Sequence, residues 1–309
     1  MENPGFKADF QYIIPAHPVI LNVQRIMYHQ AHCVIANPRT QKVPNDISCR
    51  NPSHSQWRCR WPFWKCRIMS IPPVTVSHLM IGRALPFGPN GEPSAIAKHS
   101  VAGPLQLTVT GFVNDEQGDT SRHGGPDKAV HHYPAEHYAQ WRLDLAAVPP
   151  EYFCSGAFGE NLSTFGLTEA SVCIGDIFRL GSAIIQVSQA RQPCWKLNVR
   201  FGRADMAMLV QQSARTGWYY RVLETGEVTQ GAALQLLERP HPEWPLARLL
   251  HLPYTDTLNS SALLAIAALD ILPASWKKLA QQRLESGQVE DWSHRLNTPV
   301  VASDGDKPG

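Results

Sequence analysis

The stretch SVCIGDIFRLGSAIIQVSQ, residues 171–189, limits the fold more than any other part of the chain. Its apolar pairs are short: Val172 and Ile174, then Ile177 and Phe178 after a Gly-Asp pair, then Ile184, Ile185 and Val187 after a Gly-Ser pair. Runs this brief cannot supply the long stripe that a packed helix buries. Broken by glycine turns, they read as consecutive antiparallel strands. Cys173 alternates with Val172 and Ile174 and has no charged neighbour in sequence, so it reads as a core thiol, as does Cys154.

Strand character recurs on both sides. Leu107, Val109, Phe112 and Val113 suggest a half-buried strand between Leu105 and Val113, and GWYYRVLETGEV and AALQLLER return to the same pattern. Two helical interruptions stand out. AEHYAQWRLDL follows Pro134 and sets Tyr138, Trp141 and Leu145 on one face, and ADMAMLVQQSAR spaces Met206, Leu209 and Val210 as a short amphipathic helix. Short strands with turn chemistry from about Ile81 to Glu238 predict a mainly β domain with helical insertions, closed or nearly closed into a barrel.

Composition shifts at the proline-rich connector RPHPEWP. PLARLLHL, SSALLAIAALD and PASWKKLAQQRLES follow as three short amphipathic helices, the last opening on a proline and stopping at Gly287, with EDWSHRL as an extension. The expected organisation is therefore a barrel over 76–239, a three-helix domain over 240–297 and a disordered tail over 298–309.

The first 75 residues differ in kind. Before Met69 there are nine Lys and Arg against three Asp and Glu, leaving nineteen against twenty-three for the rest, and four of the seven cysteines (Cys33, Cys49, Cys59, Cys66) fall in this part. It lacks sustained periodicity and any close CxxC pair, so a zinc site is disfavoured. A disordered leader, or upstream sequence translated ahead of a start at Met69, is expected. No secretory signal and no apolar run of roughly 18 to 20 residues is seen, so neither export nor a membrane span is expected. With Cys154, Cys173 and Cys194 in the body, a reducing, cytoplasmic setting follows.

Four constellations could carry chemistry: PSAIAK ending at Lys98, HGGPDKA from His123, FGENLS with Glu160 and Asn161, and QARQPCWKL around Cys194. Gly124 and Gly125 permit positive φ and could let backbone amides converge on an anion, although a histidine in a glycine turn is as often an exposed loop residue. Arg191 and Lys196 beside Cys194 favour the thiolate, the form that attacks or binds a metal; the alternative is a buried thiol at a strand end. Glu160-Asn161 could orient a ligand or cap its own turn. His131, His132 and His137 straddle a strand-to-helix junction and read as structural. GxGxxG, GKS/GKT, HExxH and GxSxG are absent, and no motif supports pyridoxal phosphate.

Taken in order, PSAIAK, HGGPDKAVHHYP, AFGENLSTFGLTE, IGDIFRLGSAIIQVSQ and RQPCWKL resemble the MOSC family, named for the carboxy-terminal domain of molybdenum cofactor sulfurase. SWKKLAQQRLESGQVEDWSHRL is similar to the three-helix tail of its YiiM-like branch. The resemblance spans about Met80 to Asn297. It implies a barrel pocket holding a lysine, a histidine, an arginine and a cysteine, here Lys98, His123, Arg191 and Cys194. It further implies molybdopterin with Cys194 as molybdenum ligand. Lys98, Arg191, Asn161 and the Gly124-Gly125 amides would bind the cofactor, and His123 would handle a proton during reduction of N-hydroxylated compounds such as purine analogues. A molybdenum-dependent oxidoreductase of this kind needs an electron-donor reductase, because no flavin, iron–sulfur or nicotinamide motif is visible. Two other readings stay open: a persulfide carrier using Cys194 without metal, and an anion-binding module whose tail docks a partner. Arg248, Lys277, Lys278, Arg283 and Arg295 are interspersed with acids, so polymeric nucleic acid is not an expected partner. The family reads Q-P-R-x-P-C before the cysteine, whereas Ala190 stands here at the first proline and frees one φ angle.

Overall fold

A computed structural model describes residues 71–301. Residues 1–70 of the expected leader, its four cysteines and most of the expected disordered tail lie outside the described residues, while the leader's last two residues, Val74 and Thr75, are ordered and pair within the sheet. Seven strands, numbered here in chain order, make the core: β1 (Val74–Ile81), β2 (Val130–Pro134), β3 (Leu162–Thr164), β4 (Ile177–Leu180), β5 (Ala183–Ala190), β6 (Trp218–Glu224) and β7 (Ala233–Glu238). They pair in the spatial order β1-β3-β2-β6-β5-β4-β7, and β7 returns to β1 through Val74 opposite Leu234, so the sheet closes into a barrel. The fold is mainly β, as expected. All barrel pairings are antiparallel except β2 with β3.

Alternation marks β4 and the start of β6, whereas β2 and β3 are buried throughout and so is β5, at all eight positions. Its polar side chains are accordingly engaged: Ser188 donates to the carbonyl of Asp127 at 2.6 Å, and Gln189 donates to the same oxygen at 3.1 Å. The helices α1 (Glu136–Asp144), α2 (Lys196–Phe201) and α3 (Met206–Ser213) pack beside the barrel around Tyr133, Phe153 and Phe158, and Tyr133 stacks on Phe158 with centroids 4.2 Å apart.

The carboxy-terminal helices are α4 (Leu246–Tyr254), α5 (Ser260–Ala267) and α6 (Ala274–Ser286). Asn259 caps α5 by accepting from the Ala262 amide at 3.1 Å, and α6 ends at Gly287, whose φ of 63° suits only a residue without Cβ strain. Their apolar faces join the barrel's own core: Leu249, Leu263, Ile266 and Trp276 belong to one cluster with Val76, Ile185 and Val187. Leu279 of α6 is half-buried. EDWSHRL does not extend α6 but forms a separate turn, Ser293–Leu296.

Several local expectations are corrected. Residues 105–113 are not one strand but a tight ribbon, Leu105–Thr108 and Gly111–Phe112, paired with Gly226–Val228 outside the barrel; Gly111 at φ 128° turns the chain and leaves Val109 and Val113 exposed. GWYYRVLETGEV likewise divides between β6 and that ribbon. Cys173 is buried but forms only a single bridge to Pro245, and its amide donates to the Asp176 carboxylate at 2.9 Å, so a charge does lie beside it. Burial raises its thiol to about 11. Cys154 is exposed rather than core.

Arg283 ties the helical part together. Its side chain is fully buried, pairs with Glu290 at 2.7 Å, and donates to the carbonyls of Pro253 and Thr257 at 3.0 and 3.2 Å. Arg283→Ala strands those carbonyls and should lower unfolding free energy by about 2–4 kcal/mol, measured by urea titration. A loss below about 1 kcal/mol, the scale of a surface pair, contradicts this role.

Candidate active-site cleft

The barrel mouth is built by three loops. The first runs from β1 to Asp115 and carries Lys98; the second is the turn Thr120–His123 followed by Gly124, Gly125 and a single 3-10 turn, Pro126–Lys128; the third joins β5 to α2 and carries Arg191 and Cys194. They line two adjoining spaces: a chamber of about 90 Å3, inner in the sense that Lys98 and Asp115 line it, and a vestibule of about 630 Å3. Cys194, His123, Lys128, Lys196, Gln192 and Tyr219 line both. The vestibule has the size of a small-molecule site.

Lys98 stands in the inner chamber, its ammonium hydrogen-bonded to the buried carboxylate of Asp115. Burial pushes its pKa down and Asp115 pulls it back. Close packing is needed here: a Cβ on Gly156, at φ 93°, would fall 2.8 Å from the carbonyl of Lys98. Asn161 lines the same chamber but its polar atoms are spent on protein. Its amide donates to Asp115 at 2.8 Å and to the Met80 carbonyl at 3.1 Å, and its oxygen accepts from the His131 amide at 3.0 Å. It therefore positions Asp115 instead of offering a free ligand. Glu160 turns away, accepting from Tyr138 and from the amides of Gly156 and Phe158 at 2.5 and 3.0 Å.

His123 ends the helical turn and places Nε2 3.8 Å from Cys194 Sγ. Burial first, then Lys196, Lys128 and Arg191, lower its pKa to about 4, so it is a neutral imidazole at neutral pH. Cys194 is half-buried at the junction of the two spaces. Arg191 is buried, and its Nη1 has no protein hydrogen-bond partner. Such a group in a polar chamber calls for an anion or water.

Gly124 and Gly125, expected as an amide cradle, line neither space. Gly125, at φ 96°, reverses the chain so that His123 before it and Lys128 after it both reach the cleft. Ala190, at the family's usual proline, is the last residue of β5 and pairs with Trp218. Of the three histidines taken as structural, His132 bonds Tyr220 and Thr164 and is lowered by burial to about 3, and His137 bonds Glu169 at 2.7 Å. His131 instead lines the inner chamber. Sequence reasoning also left out Asp115, Lys128 and Tyr219. Lys128 was legible inside HGGPDKA, whereas Asp115 sits in a turn-rich stretch with nothing to mark it. Among the described residues no group of three or more His, Cys, Asp or Glu could hold a metal ion.

This barrel with its cysteine loop and appended helices defines a two-part architecture, and family models match both parts: the MOSC domain over residues 119–235 and the YiiM-like, 3-alpha helix domain over 244–287. The chain belongs to the MOSC family, in its YiiM-like branch. It is 46% identical over 211 residues to Protein YiiM of Escherichia coli, covering 67% of this chain and 92% of that protein. A crystal structure of YiiM from Escherichia coli superposes with a TM-score of 0.62 at 36% identity, covering 72% of this chain and 98% of that one. A protein of Gibberella moniliformis named Reductase is 39% identical over 191 residues, 57% of this chain but 34% of that longer protein. Lys98 falls outside the matched MOSC range yet stands in the same chamber.

The neutral His123 gives a pH signature. Between the ordinary histidine value of 6.5 and about 4, the unfolded chain takes a proton that folded His123 refuses, so this contribution to stability is full above 6.5 and is lost as pH falls toward 4. His123→Asn should therefore lose less stability than the wild type between pH 7 and 4.5, by about 2 kcal/mol, in paired denaturant titrations. Equal losses in the two proteins contradict a neutral His123.

Proposed function

We propose that the cleft holds the molybdenum cofactor and reduces N-hydroxylated compounds, N-hydroxylated purine analogues among them, to the corresponding amines. The observation that carries this reading is the convergence of the half-exposed Cys194 sulfur with buried cations, one of them an Arg191 nitrogen without a protein partner, on one cleft. The donor set fits an anionic metal–pterin group. Cys194 offers a soft sulfur ligand, and Lys98 and Arg191 offer charged donors for an anionic part of the cofactor. With no group of three or more His, Cys, Asp or Glu able to hold a metal among the described residues, a metal held at Cys194 would depend on the cofactor for its other ligands. When bound, the cofactor supplies two-electron redox chemistry at the metal.

The chain's own residues then have separable tasks. Cleaving R–NHOH to R–NH2 and water consumes two electrons and two protons. His123, neutral and beside Cys194, relays protons to the departing oxygen without holding a charge in the cleft. Lys128 and Lys196, at the border of chamber and vestibule, favour a negatively charged guest. Electrons come from a separate reductase protein, and the name Reductase on the longer fungal relative fits redox work by this fold. No described helix is long and apolar enough to cross a membrane.

Full-length protein from a molybdenum-replete host should carry near-stoichiometric molybdenum and pterin and, with a reductase system, reduce N-hydroxylaminopurine. Cys194→Ala should lower metal content and turnover by more than about 100-fold, as expected when a ligand is removed outright and not merely a residue behind it. Sulfane sulfur released by reductant, with no metal, would instead identify Cys194 as a persulfide carrier. Unchanged metal and turnover in the variant would remove Cys194 from the site.

A further inference from the structure

Beyond Ser286 the chain leaves the helical part and returns to the barrel mouth. This segment follows both matched family regions, which end at residues 235 and 287. Its anchor is Leu296, buried in the cluster of Leu197 and Phe201, with its carbonyl accepting from Asn198 Nδ2 at 2.8 Å. One residue earlier, Arg295 meets the cysteine loop twice. Its backbone carbonyl accepts from the Trp195 amide at 2.7 Å, and its guanidinium donates to the Pro193 carbonyl at 2.5 Å. The other guanidinium nitrogen donates to Gln211 Oε1 on α3 at 2.5 Å, and the group sits 5.9 Å from the Tyr254 ring of α4. The peptide groups immediately before and after Cys194 are thus fixed by one residue from a remote part of the chain.

We infer that Arg295 is a positioning residue that holds the Cys194 loop, making the carboxy-terminal segment a strap by which the helical part sets the cysteine at the barrel mouth. The inference rests on the reading of Cys194 as the reactive group. Its physical basis is that a loop residue between two peptide hydrogen bonds to a fixed guanidinium and carbonyl cannot swing without breaking a charge-assisted bond. A helical part that served only stability would leave this loop to its own contacts with β5 and α2.

The test is iodoacetamide alkylation of the folded, full-length chain, with each cysteine followed by peptide mass spectrometry. Cys154, exposed, is the internal standard, and Cys173, buried, reports global opening. Arg295→Ala should raise the Cys194-to-Cys154 rate ratio about three- to tenfold, through local opening of the loop, while Cys173 stays unreactive. Arg295→Lys keeps the backbone bond and one donor but loses the fork, so an intermediate ratio is expected. A ratio at or below the wild-type value in Arg295→Ala overturns the inference, as does a rise matched by Cys173. If Arg295→Ala does not fold, the ratio in Arg295→Lys decides, with the wild-type value as threshold. Full turnover by Cys194→Ala would sink the functional reading and leave the alkylation ratio to judge the strap.

Discussion

A lysine can stand at the bottom of this cleft because a buried carboxylate stands with it. An ammonium removed from water without a partner loses several kcal/mol and gives up its proton instead. Asp115 prevents that, and Asp115 is itself held: the Gly82 amide donates to it at 2.8 Å and Asn161 at 2.8 Å. Asn161 in turn bonds the backbone of β1 at Met80 and of β2 at His131. One amide side chain therefore locks two barrel strands, orients an acid and, through the acid, keeps a cation in place. Losing any member disturbs both the barrel wall and the charge of the chamber.

With Lys98 compensated, the remaining cations set the field. Arg191, Lys128 and Lys196 line the same space, and their effect is visible on His123, which they and burial hold neutral. A protonated imidazole here would add one more positive charge to a crowded, partly dry cleft. The resting Cys194–His123 contact at 3.8 Å is thus not an ion pair with imidazolium. An anionic guest relieves the crowding, which is why the same residues that disfavour a charged histidine favour a negatively charged ligand.

Strands β4 to β7 were legible because short apolar runs and glycine turns are local, whereas β1, β2 and β3 were not, β2 and β3 being buried at every position and so without alternation. The motif residues Lys98, His123, Arg191 and Cys194 do share one cleft. What was not legible depends on contacts distant in sequence. Cys154 looks like any small apolar residue until the fold leaves it outside. Asp115 gains its meaning only from Lys98, seventeen residues earlier, and from Asn161, forty-six later. The two glycines of HGGPDKA were read as ligand-binding because glycine permits both a cradle and a reversal, and only the path of the chain shows that Gly125 serves the reversal. Val109 and Val113 had the right alternation but the wrong neighbours, since Gly111 turns the ribbon outward before it can join the barrel.

β5 is the wall through which the helical part and the cleft meet. Gln189, which borders the vestibule, accepts from the Trp276 indole of α6 at 3.1 Å while donating to the Asp127 carbonyl beside Lys128. Arg221 of β6 bonds the Asp127 carboxylate at 2.8 Å and the Ile271 carbonyl, just before α6, at 2.9 Å. Both routes end on the turn that carries Lys128; one starts from the indole of α6, which lies in the common core, and the other from the backbone just before that helix. Gln189 is the one polar side chain of β5 that connects the two layers; Ser188 bonds the Asp127 and Tyr219 carbonyls and Gln186 the Gly175 carbonyl, so the barrel itself satisfies them. Helices α4 to α6 therefore act on the cleft without lining it, and the segment after them reaches the vestibule at His294 and Arg295. Through Trp276 and Gln189 the helices reach the strand whose front loop carries the cysteine.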